Sequence, residues 1–420
     1  MKMMEKIDRL ILRAETELKD LYAAADQIEE IRTRQVLEAF REERVSYRHF
    51  SPTTGYGYDD IGRDTLERLY ARIFHTEAGL MRPHIASGTA ALSLTLHGLT
   101  KPGDHVISAT GMPYDTLLGV IGIGKNAYPG SLKDMGVSFD CVEMKEGSID
   151  VDEVERMIRK NTTLIIAQRS RGYAWRKSLM PEAFQELAER IHKKYPEIRL
   201  MVDNCYGEFV REKEPTDYGA DICVGSLIKN PGGGIAPTGG YVTGRKDDIE
   251  RIASVLTAPG LGRELGSYEA SYRPFFQGLF MAPHTVSQAL KTAMLASRVF
   301  ENIGFETTPP SMEPRADIIQ AIKMESAERL IAFCQGLQSA SPVDSMAEPE
   351  PWNMPGYDDP VVMAAGTFVA GASIELSADG PIRPPYTAYM QGGLTYTHGK
   401  IAIAEALSRM ISKGCLIVDN

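Results

Sequence analysis

Five short runs, at residues 106–110, 163–168, 199–204, 221–226 and 239–244, are almost continuously apolar and rich in β-branched side chains. A strand with one wet face alternates polar and apolar residues; these runs do not, so both of their faces must be covered. Stretches with helical periodicity separate them, and a helix is the usual connection that brings consecutive strands side by side in parallel. The pattern predicts an α/β core with a mostly parallel central sheet.

The flanks read differently. Residues 5–46 form an amphipathic helical pattern with Ile7, Leu10, Ile11, Leu18 and Leu21 on one stripe, which predicts an arm or a covering layer. After a helical stretch near 284–302, the proline- and acid-rich segment 341–360 (SPVDSMAEPEPWNMPGYDDP) interrupts the pattern, and a loop of that length in a domain is usually functional or mobile. Beyond it, 367–378 (TFVAGASIELSA) reads as strand and 400–412 (KIAIAEALSRMIS) as helix, which predicts a smaller α+β domain. The chain therefore divides into an N-terminal helical arm (1–50), a large α/β domain (51–285) and a small C-terminal α+β domain (286–420). Its 420 residues suit more than one domain.

Composition removes several function classes. With 46 Lys and Arg against 56 Asp and Glu, the net charge is -10, and no dense basic tract offers a footprint for nucleic acid. The longest apolar stretches, such as 117–124 (LLGVIGIG), are too short to span a bilayer, and the N-terminus lacks the apolar core of a signal peptide; no membrane partner and a cytoplasmic location are expected. Five scattered cysteines without a C-x-x-C pair suggest neither disulfides nor a zinc site, so no metal is expected.

In open α/β sheets, ligands bind outside the carboxyl ends of the strands. The run 199–203 (RLMVD) ends in Asp203, and the next, 221–226, ends in Ser226 with Lys229 just beyond. An aspartate and a lysine on neighbouring strand ends, flanked by apolar residues, are a candidate pair for pyridoxal phosphate: the lysine to join its aldehyde, the carboxylate to keep the pyridine nitrogen protonated. A partly desolvated lysine titrates low enough to act as a nucleophile, and Gly232, Gly233 and Gly234 would let bare backbone pass a flat cofactor. The other reading is a surface lysine in a turn beside a capping aspartate. Similarly, Ser87, Gly88 and Thr89 open an apolar-periodic helix, where free N–H groups and the helix dipole favour a phosphate, or where Ser87 is an ordinary N-cap. Tyr114 stands at a strand-to-helix turn on the same side, to stack on a ring and handle protons or simply to pack.

The order SGT, turn tyrosine, VDN and SxxK resembles the fold-type I pyridoxal-phosphate enzymes of cysteine and methionine metabolism. More narrowly, GYGYDDIGRDTLERLYARIF, QRSRGYAWR, SLIKNPGGGIAPTGGY and IELSADGPIRPPYTAYMQGGLTYTHGK resemble the methionine gamma-lyase-like family often labelled aluminium-resistance proteins, from about residue 45 onward. The resemblance implies pyridoxal 5'-phosphate joined to Lys229, with Asp203 on the pyridine nitrogen, Ser87, Gly88, Thr89 and Ser226 around the phosphate, and Tyr114 on the ring. It implies a Tyr-x-Arg segment reaching in from a neighbouring subunit; here Tyr56 or Tyr58 with Arg63 stands nearest to that pattern, without its spacing. For the substrate carboxylate it points to an arginine after a strand of the small domain, Arg383, with Arg169 and Arg171 as rivals or all three as solvated loop residues. The implied activity is a carbon–sulfur lyase on a sulfur amino acid of the cysteine, cystathionine or methionine type, by β- or γ-elimination, in a homotetramer built as a dimer of dimers. An aminotransferase or γ-replacement enzyme would use the same cofactor residues, and a non-catalytic binding protein could keep the fold. A nucleotide-binding protein is disfavoured, since PGGGIAPTGG matches neither G-x-G-x-x-G nor a P-loop.

Overall fold

Along the strand Thr162–Gln168, Leu164 and Ile166 enter one hydrophobic core while Ile165 and Ala167 enter another, and all four are buried. That two-sided burial, in a computed structural model that describes residues 2–124, 128–354 and 357–417, is what the unbroken apolar runs require. The strand is one of seven: β1 (Ala78–Arg82), β2 (His105–Ser108), β3 (Ser138–Cys141), β4 (Thr162–Gln168), β5 (Arg199–Asp203), β6 (Ile222–Ser226) and β7 (Gly240–Gly244). They are ordered β1-β7-β6-β5-β4-β2-β3, with β3, β2, β4, β5 and β6 parallel and β7 antiparallel to both of its neighbours. A second sheet, ordered β10-β11-β12-β9-β8 and wholly antiparallel, holds β8 (Thr307–Thr308), β9 (Gln320–Lys323), β10 (Val361–Ala364), β11 (Ser377–Pro381) and β12 (Thr387–Gln391). The α/β expectation, with a mostly parallel main sheet and a smaller C-terminal α+β part, holds.

The helices are α1 (Lys2–Glu17), α2 (Lys19–Glu42), α3 (Ile61–Ile73), α4 (Gly88–Leu99), α5 (Asp115–Ile121), α6 (Val151–Met157), α7 (Gln185–Lys194), α8 (Lys246–Leu256), α9 (Arg273–Asn302), α10 (Ala327–Ser339) and α11 (Tyr396–Ser412). Leu92 and Leu96 of α4 and Ile249 and Ile252 of α8 cover one face of the large sheet; Leu66 and Leu69 of α3, Leu187 and Ile191 of α7 and Phe276 and Leu279 of α9 cover the other. Each such side chain contributes about 1.5–3 kcal/mol by leaving water. The N-terminal pattern is two helices: Ile7 and Ile11 of α1 seal the core of the second sheet, whereas Val36 and Ala39 of α2 join the core under the large one. Helix α9 feeds both, with Leu295, Val299 and Phe300 in the core of the second sheet, and position 285 lies inside it.

One predicted strand is mostly a loop. Residues 367–376 are irregular, and strand β11 starts only at Ser377. The buried Glu375 carboxylate accepts the backbone N–H groups of Phe368 and Val369, both at 2.9 Å, and Gly371 lies at φ +79°. Those local bonds satisfy the backbone that a ladder would otherwise hold.

Candidate functional site

The register of the parallel strands sets the polar side chains at one edge. Gln168 at the end of β4 pairs with Asp203 at the end of β5, and β6 ends one strand over in Ser226. A cavity of about 310 Å³ opens at this edge and is walled on its far side by the second sheet. Ser87, Gly88, Thr89, Tyr114, Asp203, Ser226 and Lys229 all line it.

Local chemistry fixes each of these groups. Ser87 is extended and caps α4, its Oγ accepting the N–H of Ala90 at 3.0 Å, so the capping reading holds, and the residue also lines the cavity. As the first helical residues, Gly88 and Thr89 have N–H groups without an intrahelical acceptor, at the positive end of the helix dipole. A side chain at Gly88 would lie 3.3 Å from Ser226 Cβ and 3.4 Å from Cys205 Sγ, so glycine lets α4 approach β6 closely. Tyr114 is held at both ends: its N–H donates to Gln168 Oε1 at 3.0 Å and its hydroxyl meets Thr89 Oγ1 at 2.8 Å. Asp203 Oδ1 accepts the N–H of Cys205 at 3.1 Å.

Lys229 sits with its Nζ 3.9 Å above the ring centre of Tyr206. That ring is placed by a left-handed backbone, φ +72° at Tyr206, which costs a side-chain-bearing residue about 1–2 kcal/mol. Asn230, the residue after Lys229, secures the turn by donating to the carbonyls of Tyr206 at 3.0 Å and Glu208 at 2.9 Å. Glu208 lies beneath, taking the Tyr241 hydroxyl at 2.8 Å, and burial pushes its carboxyl up to about 8.

The expected low-titrating lysine is not what these neighbours produce. Burial pulls the Lys229 amine down, but Cys205, Tyr206, Asp203 and Tyr114 outweigh it, and the net direction is up. These neighbours therefore favour the charged form of the amine. Burial pushes the Asp203 carboxyl up, with Lys229 pulling the other way, and burial followed by the charge of Asp203 raises the Tyr114 hydroxyl, so the phenol stays neutral.

The other candidates do not line the cavity, although the charges of Arg171 and Arg383 act on its wall at Tyr389, and that of Arg383 also at Asp115. Arg169 is fully buried and committed to the carbonyls of Leu179 and Gly207 and to Asn204 Oδ1. Arg171, also buried, donates to the Thr308 carbonyl at 2.8 Å. Arg383 is half exposed and pairs with Asp359 at 2.9 Å. None of the three lines the cavity. Tyr56 and Tyr58 are 72% and 57% exposed on the loop before α3, and Arg63 is buried, holding the Gly57 carbonyl at 2.7 Å. Nor do Gly232, Gly233 and Gly234 line the cavity: a side chain at Gly232 would meet the Leu227 carbonyl at 1.8 Å, while Gly233 and Gly234, at φ +56° and +74°, press on Gly278 and Leu394. The glycines let the chain pack on itself, not on a ligand.

Sequence reasoning missed the rest of the wall. Gln168 and Tyr173 stand either side of the two arginines singled out in QRSRGYAWR, and Tyr206 follows the VDN run by two residues. Tyr357 lies in the long loop 341–360, and Asp379 and Tyr389 lie in the run beginning IELSADG, both segments noted in the sequence but with no residue of theirs other than Arg383 named for the site.

Comparison with known proteins places this geometry. Residues 7–411 match the methionine gamma-lyase family. The uncharacterized protein YnbB of Bacillus subtilis is 47% identical over 410 residues, 97% of each chain. The crystal structure of a carbon-sulfur lyase involved in aluminum resistance from Clostridium novyi superposes with a TM-score of 0.93 at 48% identity, covering 97% of this chain and 96% of that one. At 13% identity, covering 93% of this chain and 97% of the other, the pyridoxal-5'-phosphate dependent protein YhfS of Escherichia coli shares the fold with a TM-score of 0.62. With a match across nearly its whole length, the chain belongs to the methionine gamma-lyase family.

Proposed function

We infer that the protein is a pyridoxal-phosphate-dependent carbon–sulfur lyase that cleaves a sulfur amino acid of the cysteine, cystathionine or methionine type to a 2-keto acid, ammonia and a thiol. The observation that carries this reading is the meeting of Lys229, Asp203, Tyr114 and the start of α4 in one cavity. The donor set suits the cofactor: free N–H groups and the Ser87, Thr89 and Ser226 hydroxyls for a phosphate, a carboxyl for a ring nitrogen, and an amine for an aldehyde. Bound there, pyridoxal phosphate would supply an electron sink for charge left at Cα of an amino acid.

The chain's own residues do the rest. Lys229 carries the cofactor and moves the proton at Cα; Asp203 keeps the ring nitrogen protonated. Tyr114, held neutral by its surroundings, donates a proton to the departing sulfur. Ser87, Gly88, Thr89 and Ser226 anchor the phosphate. Tyr56 and Tyr58, exposed and away from their own cavity, suit a role in a neighbouring subunit's site within a homotetramer. The test is to record the visible spectrum of the purified protein, then add cysteine, cystathionine and methionine separately and identify the keto acid. A coloured protein that yields keto acid and ammonia is expected; a colourless one that fails to take up pyridoxal phosphate rejects the reading. Measurement of mass in solution tests the tetramer.

A further inference from the structure

The far end of the cavity belongs to the second sheet and the loops that face it. Tyr173 is its hub: its ring centre lies 5.1 Å from that of Tyr389 and 5.5 Å from that of Tyr357, and its carbonyl accepts the Tyr389 hydroxyl at 2.6 Å. Asp379 of β11 lines the same space, and its Oδ1, shielded from solvent, accepts no hydrogen bond among the described residues. Burial pushes this carboxyl up to about 7, against the pull of the Tyr173 hydroxyl. Among the described residues no cation pairs with it. Arg383, two residues past the end of β11, pairs with Asp359; Arg171 is committed to the Thr308 carbonyl; and the groups that act most on the Lys229 amine are Cys205, Tyr206, Asp203 and Tyr114.

A buried carboxyl with a phenol but no cation beside it is costly, and it is either kept protonated or matched by a cation from outside. Three phenol rings around it favour the second course, because ring faces attract a cation that has left water. We propose that Asp379, with the rings of Tyr173, Tyr357 and Tyr389, is a specificity subsite for a substrate side chain ending in a protonated amine, so that the preferred substrates carry an ammonium group on the thiol that leaves. The assignment rests on the lyase reading, which seats the α-amino end of the substrate at Lys229 and directs the leaving group toward the second sheet.

The test uses the protein with its cofactor and two pairs of isosteres. L-Lysine and its neutral counterpart 2-aminoheptanoate cannot undergo carbon–sulfur cleavage, so calorimetric binding of the two reads the subsite alone. S-(2-aminoethyl)-L-cysteine and S-propyl-L-cysteine, which can be cleaved, read turnover. Lysine is expected to bind about tenfold or more tighter than 2-aminoheptanoate, the scale of one charge-assisted hydrogen bond. Asp379→Asn should erase that preference, and Tyr357→Leu should weaken lysine more than the neutral ligand. Equal binding of the pair by the unaltered protein, or a preference that survives Asp379→Asn, overturns the assignment. A lysine preference without cleavage of either thioether supports the subsite and sinks the lyase reading; cleavage of both with no preference does the reverse.

Discussion

At the large-sheet end of the cavity, polar side chains hold one another in place: Thr89 holds Tyr114, Gln168 holds Tyr114 from the other side, and Asp203 takes a backbone N–H two residues on. At the second-sheet end, Asp379 Oδ1 shares the cavity wall with three tyrosines and has no hydrogen bond among the described residues. The first arrangement is set before any ligand arrives, as suits a group that stays. The second leaves an interaction unmade, as suits a molecule that comes and goes. The contrast also explains why the arginines fall outside: Arg169 and Arg171 are committed to the turns that shape the wall.

The sharpest way to break this contrast is Lys229→Ala, expected to lower turnover of any accepted thioether by about a thousandfold or more and to change the visible spectrum that added pyridoxal phosphate gives. Unchanged turnover would move the chemistry away from the large-sheet end. Next comes Glu208→Gln, which keeps an acceptor for Tyr241. The Glu208 carboxyl titrates at about 8 in the folded chain against 4.5 for a free side chain, so the folded state holds a proton that the unfolded state releases. Stability should therefore fall as pH rises from about 4.5 through 8, and the substitution should give little below that window and about 2–4 kcal/mol near its top. Urea midpoints across that range check it, and a gain independent of pH would refute a buried, protonated Glu208.

Asn230→Ala removes a buried bond to the carbonyl of Glu208 and a partly buried one to that of Tyr206, and should cost about 1–3 kcal/mol in the same measurement. It should also free Tyr206 from its left-handed turn, which a loss of tyrosine near-UV circular dichroism would show. Smallest is Arg383→Ala. Its pair with Asp359 is half exposed, so the change in stability should stay within about 1 kcal/mol. A large rise in KM for every amino acid would instead return Arg383 to the site, where the structure does not put it.

The residues legible from sequence share one property: each is tied to a strand or helix end within a few positions. Asp203 and Ser226 terminate apolar runs, Lys229 follows one, and Ser87–Thr89 open a helix. What failed to read were contacts between segments far apart. The glycines after Lys229 looked like a berth for a flat ligand and proved to be a close approach to α9 and Leu394, and Glu375 folded a strand-like run into a loop by capturing two nearby N–H groups.

The apolar runs determined by themselves that a mostly parallel sheet is buried on both faces, and the strand ends followed where its ligand edge would lie, because alternation and capping are local properties. Only the tertiary structure decided that Asp379, Tyr173 and Tyr389 close the cavity and that three arginines do not. Those residues meet through the packing of a second sheet against the first, and no periodicity along the chain encodes which carboxylate oxygen that packing leaves unbonded.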